Sequence, residues 1–316
     1  MAIKRSRIAL LGECLIELNG EPFGILHQSF GGDTLNTALY LARLTQKDAV
    51  IRYATALGTD AVSNELLRRW KREGIDTSLV LRDPVRRPGL YWVSRDAEGE
   101  RSFTYWRGES AARFMLRHRD FGTVASALAE LDVLYLSGIS LAILPEEDRA
   151  VLIELLKGLR RRGVALTFDS NYRPALWSTP EAARAASLEL YPMASSLFVT
   201  FEDERALWGD VDAEATLKRL QSAGVGSVAI KLGRDGCLYA TGNRRFSVPA
   251  EPVARVVDTT AAGDAFNAGF LAAWLAGSGE EDCCRVGNRL AARVIQHMGA
   301  IIPSSQTPTL PELLGT

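Results

Sequence analysis

A chain of 316 residues, 47% hydrophobic and 24% charged, is long enough for one large or two modest domains around a sizeable core. Its net charge of −1 provides no basic field to gather nucleic acid or an acidic membrane surface, so neither partner is expected. Four cysteines without C-x-x-C spacing and three scattered histidines argue against a zinc site or a disulfide framework.

Lys4-Arg5-Ser6-Arg7 precedes the apolar run Ile8–Leu11, which stops at Gly12-Glu13. That run is too short for a signal peptide and reads as a buried first strand. Cys14–Leu18 reads as a second short strand. Gly31-Gly32-Asp33 leads into a helix over Thr34–Leu44, with Leu35, Ala38, Leu39 and Ala42 on one face. Val50–Ala56 is a strand and Asp60–Arg72 a capped helix. Gly89–Arg95 and Arg101–Arg107 are aromatic-rich and joined by Asp96–Glu100, which predicts a hairpin. It interrupts the strand–helix rhythm and is assigned, with the strand over 14–20, to an accessory sheet.

The rhythm then resumes. Strands are expected at Val133–Ser137, Val164–Asp169, Leu197–Thr200, Ser227–Lys231 and Cys237–Ala240. Helices are expected at Glu146–Arg161, Pro180–Tyr191, 263–276 and 281–298. This alternation predicts an α/β fold: a three-layer α/β/α body with a mainly parallel sheet, right-handed crossovers and a small β lid. The chain is expected to form one domain over 1–316, with lid strands from about 14–30 and 88–108 inserted. No apolar run approaches membrane length, and the cytoplasm is the expected location.

Asp258-Thr259-Thr260-Ala261-Ala262-Gly263-Asp264 precedes Phe266, Phe270, Ala273 and Trp274 at helical spacing. Small residues therefore stand where a helix begins, its first amides lack intrahelical partners, and its dipole favours an anion. Asp264 becomes an acceptor beside an anion hole formed by Ala261, Ala262 and Gly263. Taken alone, the run is equally an ordinary capped helix start. Gly31-Gly32-Asp33-Thr34-Leu35-Asn36 similarly offers close backbone approach and hydroxyl partners, or simply a capped helix. Gly224–Ala229 matches a dinucleotide fingerprint loosely but precedes a strand, and no P-loop occurs.

The first of these stretches resembles the signature D-T-T-G-A-G-D-x-F of the ribokinase-like (PfkB) family of sugar kinases. Ala261 departs from it, and is acceptable there if its φ is negative. The second resembles the family element G-G-x-x-x-N-x-A, at Gly31 to Ala38. The resemblance covers nearly the whole chain and implies a ribokinase-like fold. It implies Asp264 as the catalytic base and sugar contacts from Gly32, Asp33, Thr34 and Asn36. It places ATP against Lys231, Gly233 and Gly236 of the K-x-G-x-x-G element, with Asn171 on the nucleotide side and Asn288 beside adenine. Glu202-Asp203-Glu204 corresponds loosely to the N-x-x-E element that positions hydrated Mg2+; its Asn is missing, with Thr200 or Phe201 in that place.

Within that family the chain is similar to the kinases of 2-keto-3-deoxygluconate, through G-E-C-x-I-E at Gly12–Glu17, Y-W-R at 105–107 and D-x-N-Y-R-P-x-L-W at 169–177. Tyr91, Tyr105, Arg107 and Arg173 are then expected at the substrate. Two arginines in one pocket would leave surplus positive charge, which suits a carboxylate. The expected activity is ATP-dependent phosphorylation of this sugar acid, with a homodimer through the lid. A kinase of neutral sugars such as fructose or ribose stays open as the alternative. In a different class, so does a non-catalytic regulator that binds sugar acids.

Overall fold

The computed structural model describes residues 5–95 and 101–315. The chain starts in the body with β1 (Ser6–Leu11) and leaves it for β2 (Leu15–Gly20) and β3 (Leu26–Gly31). It returns through the helix Asp33–Thr45 to β4 (Ala49–Gly58) and β5 (Val80–Asp83), then leaves again for β6 (Gly89–Arg95) and β7 (Arg101–Trp106). β8 (Val133–Ser137), β9 (Ala165–Asp169), β10 (Ser196–Thr200), β11 (Ser227–Lys231), β12 (Cys237–Thr241) and β13 (Arg244–Val248) complete the body. Its nine strands run in the order β13-β12-β11-β10-β9-β8-β1-β4-β5. All neighbours from β11 to β5 are parallel, and β12 and β13 turn back antiparallel.

β1 shows why the body has three layers. Ile8 and Leu10 pack into one core with the helices Asp33–Thr45, Ala262–Leu275 and Glu280–Val294. Ala9 and Leu11 point the other way, into a core with the helices Glu146–Arg161, Pro180–Leu190 and Ala213–Ser222. A parallel strand covered on both faces needs an unbroken apolar run, which Ile8–Leu11 supplies. From β1 the strand order proceeds outward to β4 and β5 on one side and from β8 to β11 on the other. Open α/β sheets bind ligands beyond the carboxyl ends of their strands at such a reversal.

The lid is a second sheet in the order β3-β2-β6-β7, with β2 and β6 parallel and the outer pairs antiparallel. β2 follows β1 almost directly, and β3 runs into the helix Asp33–Thr45, so the lid rises from the carboxyl edge of the body sheet. The expected hairpin is present, while its connection at 96–100 lies outside the described residues.

Three strands carry little signal in the sequence. β3 is largely exposed, β5 is four residues long, and β13 opens on Arg244-Arg245. The last long helix stops at Val294, short of the expected 298. The Ile295 carbonyl instead accepts from the amides of Val257 (2.8 Å) and Asp258 (3.1 Å), which draws the chain out of the helix. Among the described residues no helix is long and apolar enough to cross a membrane.

Candidate active site

A cavity of about 560 Å³ opens where the carboxyl ends of β1, β9, β10 and β11 face the lid. One wall is the start of the helix Ala262–Leu275. Ala261, just before it, has φ 62° and ψ 14°, the left-handed conformation, so the expected negative φ is not found. Steric conflict between Cβ and the following carbonyl makes this conformation unfavourable for alanine by about 1–2 kcal/mol. The turn is tied down by Asp258, which accepts from the Thr260 amide (3.0 Å), the Thr260 hydroxyl (2.6 Å) and the Gly299 amide (2.9 Å). The Ala262 amide, one of the expected anion donors, is engaged by the Thr259 carbonyl at 3.2 Å. A Cβ on Gly263 would lie 3.2 Å from Lys231 Nζ, so an ammonium stands directly beside the helix start.

Asp264 follows in the first helical turn. Asn36 Nδ2 donates to its Oδ2 at 2.8 Å, and the Thr37 hydroxyl donates to its carbonyl at 3.3 Å. Burial, then the neighbouring Asp33 carboxylate, push the Asp264 carboxyl up to about 7; the Asn36 hydrogen bond opposes them. Asp33 accepts from the Thr34 amide (2.8 Å) and from Asn171 Nδ2 (2.7 Å). Its carboxyl is also raised, first by burial, with Asp169 adding repulsion. A carboxyl poised near neutrality can both hold a hydroxyl and accept its proton.

Lys231 is fixed by Asp169 Oδ2 (3.2 Å) and Asn267 Oδ1 (3.3 Å). Asn267 in turn donates to Asp169 (2.7 Å) and to the Tyr135 hydroxyl (2.9 Å). Arg173 pairs with Asp203 at 3.1 Å. Burial raises the Asp203 carboxyl, and the Arg173 charge opposes the rise. Gly32 permits close approach of two chain segments, because a Cβ there would meet the Glu13 carbonyl at 2.2 Å.

From the lid, Tyr91, Phe103 and Tyr105 line the cavity, and Tyr91 packs on Tyr105 with centroids 5.7 Å apart. The Tyr91 hydroxyl donates to Glu17. Arg107, just past β7, donates to Glu13, just past β1. Burial raises the Glu13 carboxyl and Arg107 counteracts this. The expected surplus of positive charge is therefore absent: Arg107 and Arg173 each have a carboxylate partner, and the cavity is lined by five acidic and three basic residues.

Several expected site residues lie elsewhere. Thr34 is buried and its hydroxyl meets that of Tyr53 at 3.0 Å, away from the cavity. Glu204 is fully buried and held by Arg219 at 2.6 Å, so it is a strut beneath the site. Glu202 is exposed, and of the acidic triplet only Asp203 lines the cavity, together with Thr200. Asn288 donates to the carbonyls of Val248 (3.2 Å) and Pro249 (2.9 Å), fastening the end of β13. Gly233 and Gly236 form the turn after β11, both with positive φ; a Cβ on Gly236 would strike the Val248 carbonyl. Glu13 and Asp169 also line the cavity; both belong to stretches that carry the resemblance, Gly12–Glu17 and 169–177, although neither is among the expected site residues.

The pattern of the pfkB family carbohydrate kinases matches residues 5–308. The chain belongs to this family. Among relatives, the 2-dehydro-3-deoxygluconokinase of Haemophilus influenzae is 50% identical over 301 residues, covering 94% of this chain and 95% of its own. Among solved structures, a PfkB protein from Polaromonas sp. JS666 superposes with a TM-score of 0.82 at 27% identity, covering 99% of each chain. A fructokinase with bound ATP from Xylella fastidiosa shares the fold, with a TM-score of 0.82 at 22% identity and coverage of 98% of this chain and 97% of its own. The ribokinase-like architecture of this pfkB kinase is thus that of its family.

Proposed function

We propose that the protein phosphorylates 2-keto-3-deoxygluconate, also named 2-dehydro-3-deoxygluconate, on its C6 hydroxyl at the expense of ATP. The observation that carries the reading is Asp264: a carboxyl raised to about 7, at a helix start, beside a fixed ammonium. The near full-length similarity to a 2-dehydro-3-deoxygluconokinase supports the substrate.

Asp264 accepts the proton of the attacking hydroxyl, and Asn36 orients it through the 2.8 Å bond. The Ala261 and Gly263 amides and the Lys231 ammonium stabilise charge on the transferring phosphoryl group, while the Ala262 amide stays with the Thr259 carbonyl. Gly32, Asp33 and the lid residues Tyr91 and Tyr105 hold the sugar chain, and Arg107 meets the carboxylate at its far end. Arg173, paired with Asp203, belongs to the phosphate side of this arrangement. Asn171 fixes Asp33 from that side. Asp203 and Thr200 offer oxygen donors suited to a Mg2+ ion that keeps most of its water. The ion, when bound on ATP, supplies neutralisation of phosphate charge, which the acidic lining of the cavity favours.

The chain acts in this reading as one kinase domain over 1–316, with the lid strands inserted at about 14–30 and 88–108. Dependence on ATP favours a cytoplasmic location. Exposed Phe23, Ile25 and Trp106 on the lid favour a homodimer formed through it. A second reading, a kinase of neutral sugars, is favoured by the pairing of both cavity arginines with carboxylates. Comparing kcat/KM for 2-keto-3-deoxygluconate, fructose and ribose decides between them. The sugar acid is expected to lead by at least roughly tenfold, the factor set by one charged hydrogen bond. A lead for fructose or ribose overturns the sugar-acid reading.

A further inference from the structure

Glu13 stands at the carboxyl end of β1, beside the strand-order reversal, and its side chain is 1% exposed. One carboxylate oxygen, Oε2, accepts from Arg107. The other, Oε1, is buried beside the Ser110 hydroxyl, which helps to hold the carboxyl down, yet makes no hydrogen bond of good geometry; Arg107 Nε is buried without a partner. Both residues line the cavity. An ionised carboxylate only accepts and a guanidinium only donates, so the pair presents one open acceptor and one open donor to whatever occupies the cavity. Leaving either buried group unsatisfied is unfavourable, so an occupant that supplies both complements is selected over one that does not.

The other carboxylates of the cavity are already engaged. Asp33 is met by Thr34 and Asn171, Asp169 by Lys231 and Asn267, Asp203 by Arg173, and Asp264 by Asn36. Among the described cavity-lining side chains, the buried acceptors without a hydrogen bond of good geometry are Glu13 Oε1 and Asn36 Oδ1. Asn36 is bonded to Asp264 and so stands at the phosphoryl end. Glu13 is bonded to Arg107 and so stands at the other end, where the acid group docks. Along 2-keto-3-deoxygluconate from that end come the carboxylate, a ketone, a carbon without oxygen, and then the C4 hydroxyl. The first hydrogen-bond donor met from the acid end is therefore on C4.

We propose that Glu13 is a specificity-determining residue: its free Oε1 accepts a hydrogen bond from the C4 hydroxyl of the sugar acid, while its Oε2 holds Arg107 toward the carboxylate. This rests on the sugar-acid reading above and deepens it. The same contact makes the enzyme sensitive to configuration at C4, since the epimer directs that hydroxyl away from the acceptor.

The test compares kcat/KM for 2-keto-3-deoxygluconate with its 4-deoxy and 5-deoxy analogues, in wild type, Glu13→Ala and Glu13→Gln, with ATP affinity measured alongside. In wild type the 4-deoxy analogue should fall roughly 10- to 100-fold. In Glu13→Ala that ratio should collapse toward one, while the ratio for the 5-deoxy analogue stays as in wild type. Any loosening of the lid by the unpaired Arg107 affects all three compounds alike and cancels in the ratios. Glu13→Gln, which keeps the shape and a neutral acceptor, should retain only a few-fold discrimination, and serves if the alanine variant does not fold. An unchanged 4-deoxy ratio in the variants overturns the assignment and leaves Glu13 as a lid latch only. Relief of the 5-deoxy ratio instead overturns the choice of C4. Wild type that ignores 2-keto-3-deoxygluconate altogether overturns the sugar-acid reading itself, a result distinct from either.

Discussion

At the residue scale, Asp264 sets stability against function. Its carboxyl ionises near the ordinary 3.8 in the unfolded chain and near 7 in the fold. Between those values the folded state binds the extra proton, so this group's contribution falls as pH rises from about 4 to about 7, and the full penalty stands above. Asp264→Asn should abolish most turnover, on the order of 10²- to 10⁴-fold, while sugar binding stays within roughly tenfold. The same variant should melt higher than wild type at pH 8, by at most about 4 kcal/mol before solvent screening, with the gain shrinking toward pH 4. Melting curves of both proteins across that range check the sign; an Asn variant less stable at pH 8 contradicts it. Wild-type kcat/KM should lose about tenfold per unit below roughly pH 7, and a flat profile there removes Asp264 as the base. Ala261 makes the opposite case, strain with no side-chain role. Ala261→Gly should stabilise by about 1 kcal/mol in denaturant titration and leave turnover within about twofold, because glycine takes the left-handed conformation freely.

At the scale of one element, the helix Phe201–Trp208 divides its acidic residues by the face each occupies. Asp203 turns to the cavity, Glu202 to solvent, and Glu204 into a buried pair with Arg219. Three consecutive carboxylates point in three directions because successive helical residues are about 100° apart. Asp203→Asn should raise the Mg2+ concentration needed for half-maximal rate by roughly tenfold, the loss of about one charged hydrogen bond, with little change in melting. Glu204→Ala should do the reverse: it strands part of the Arg219 charge and should destabilise by about 3–5 kcal/mol while leaving the Mg2+ requirement unchanged. A shifted Mg2+ requirement in Glu204→Ala would return that residue to the metal side. The sequence could not make this division, since all three residues open the helix with the same charge.

At the scale of the whole molecule, the site is assembled by contacts between residues far apart in the chain. Glu13 and Arg107 are 94 positions apart and Asn36 and Asp264 are 228 apart. The lid's outer apolar residues belong to the same scale, because their burial needs a second copy. Phe23 is fully exposed and Ile25 is 83% exposed. Replacing both with lysine should convert the expected dimer to a monomer in light scattering, since the desolvated charges oppose a shared apolar face. A wild type that is monomeric at micromolar concentration rules the lid dimer out.

The sequence by itself determined the layers and the floor of the site. Ile8–Leu11 is apolar throughout, so it is a strand covered on both faces, and the small residues before Phe266 and Phe270 place a helix start beside Asp264. Such features depend on local spacing and backbone chemistry, which a chain carries wherever it is read. Only the tertiary structure decided the left-handed turn at Ala261, the engagement of Thr34 by Tyr53, and the carboxylate partner of each arginine. The charge a side chain presents to a ligand depends on which groups from distant strands and the lid surround it. Interactions in a closed cavity fall off over a few ångströms, and that proximity is a property of the fold rather than of spacing along the chain.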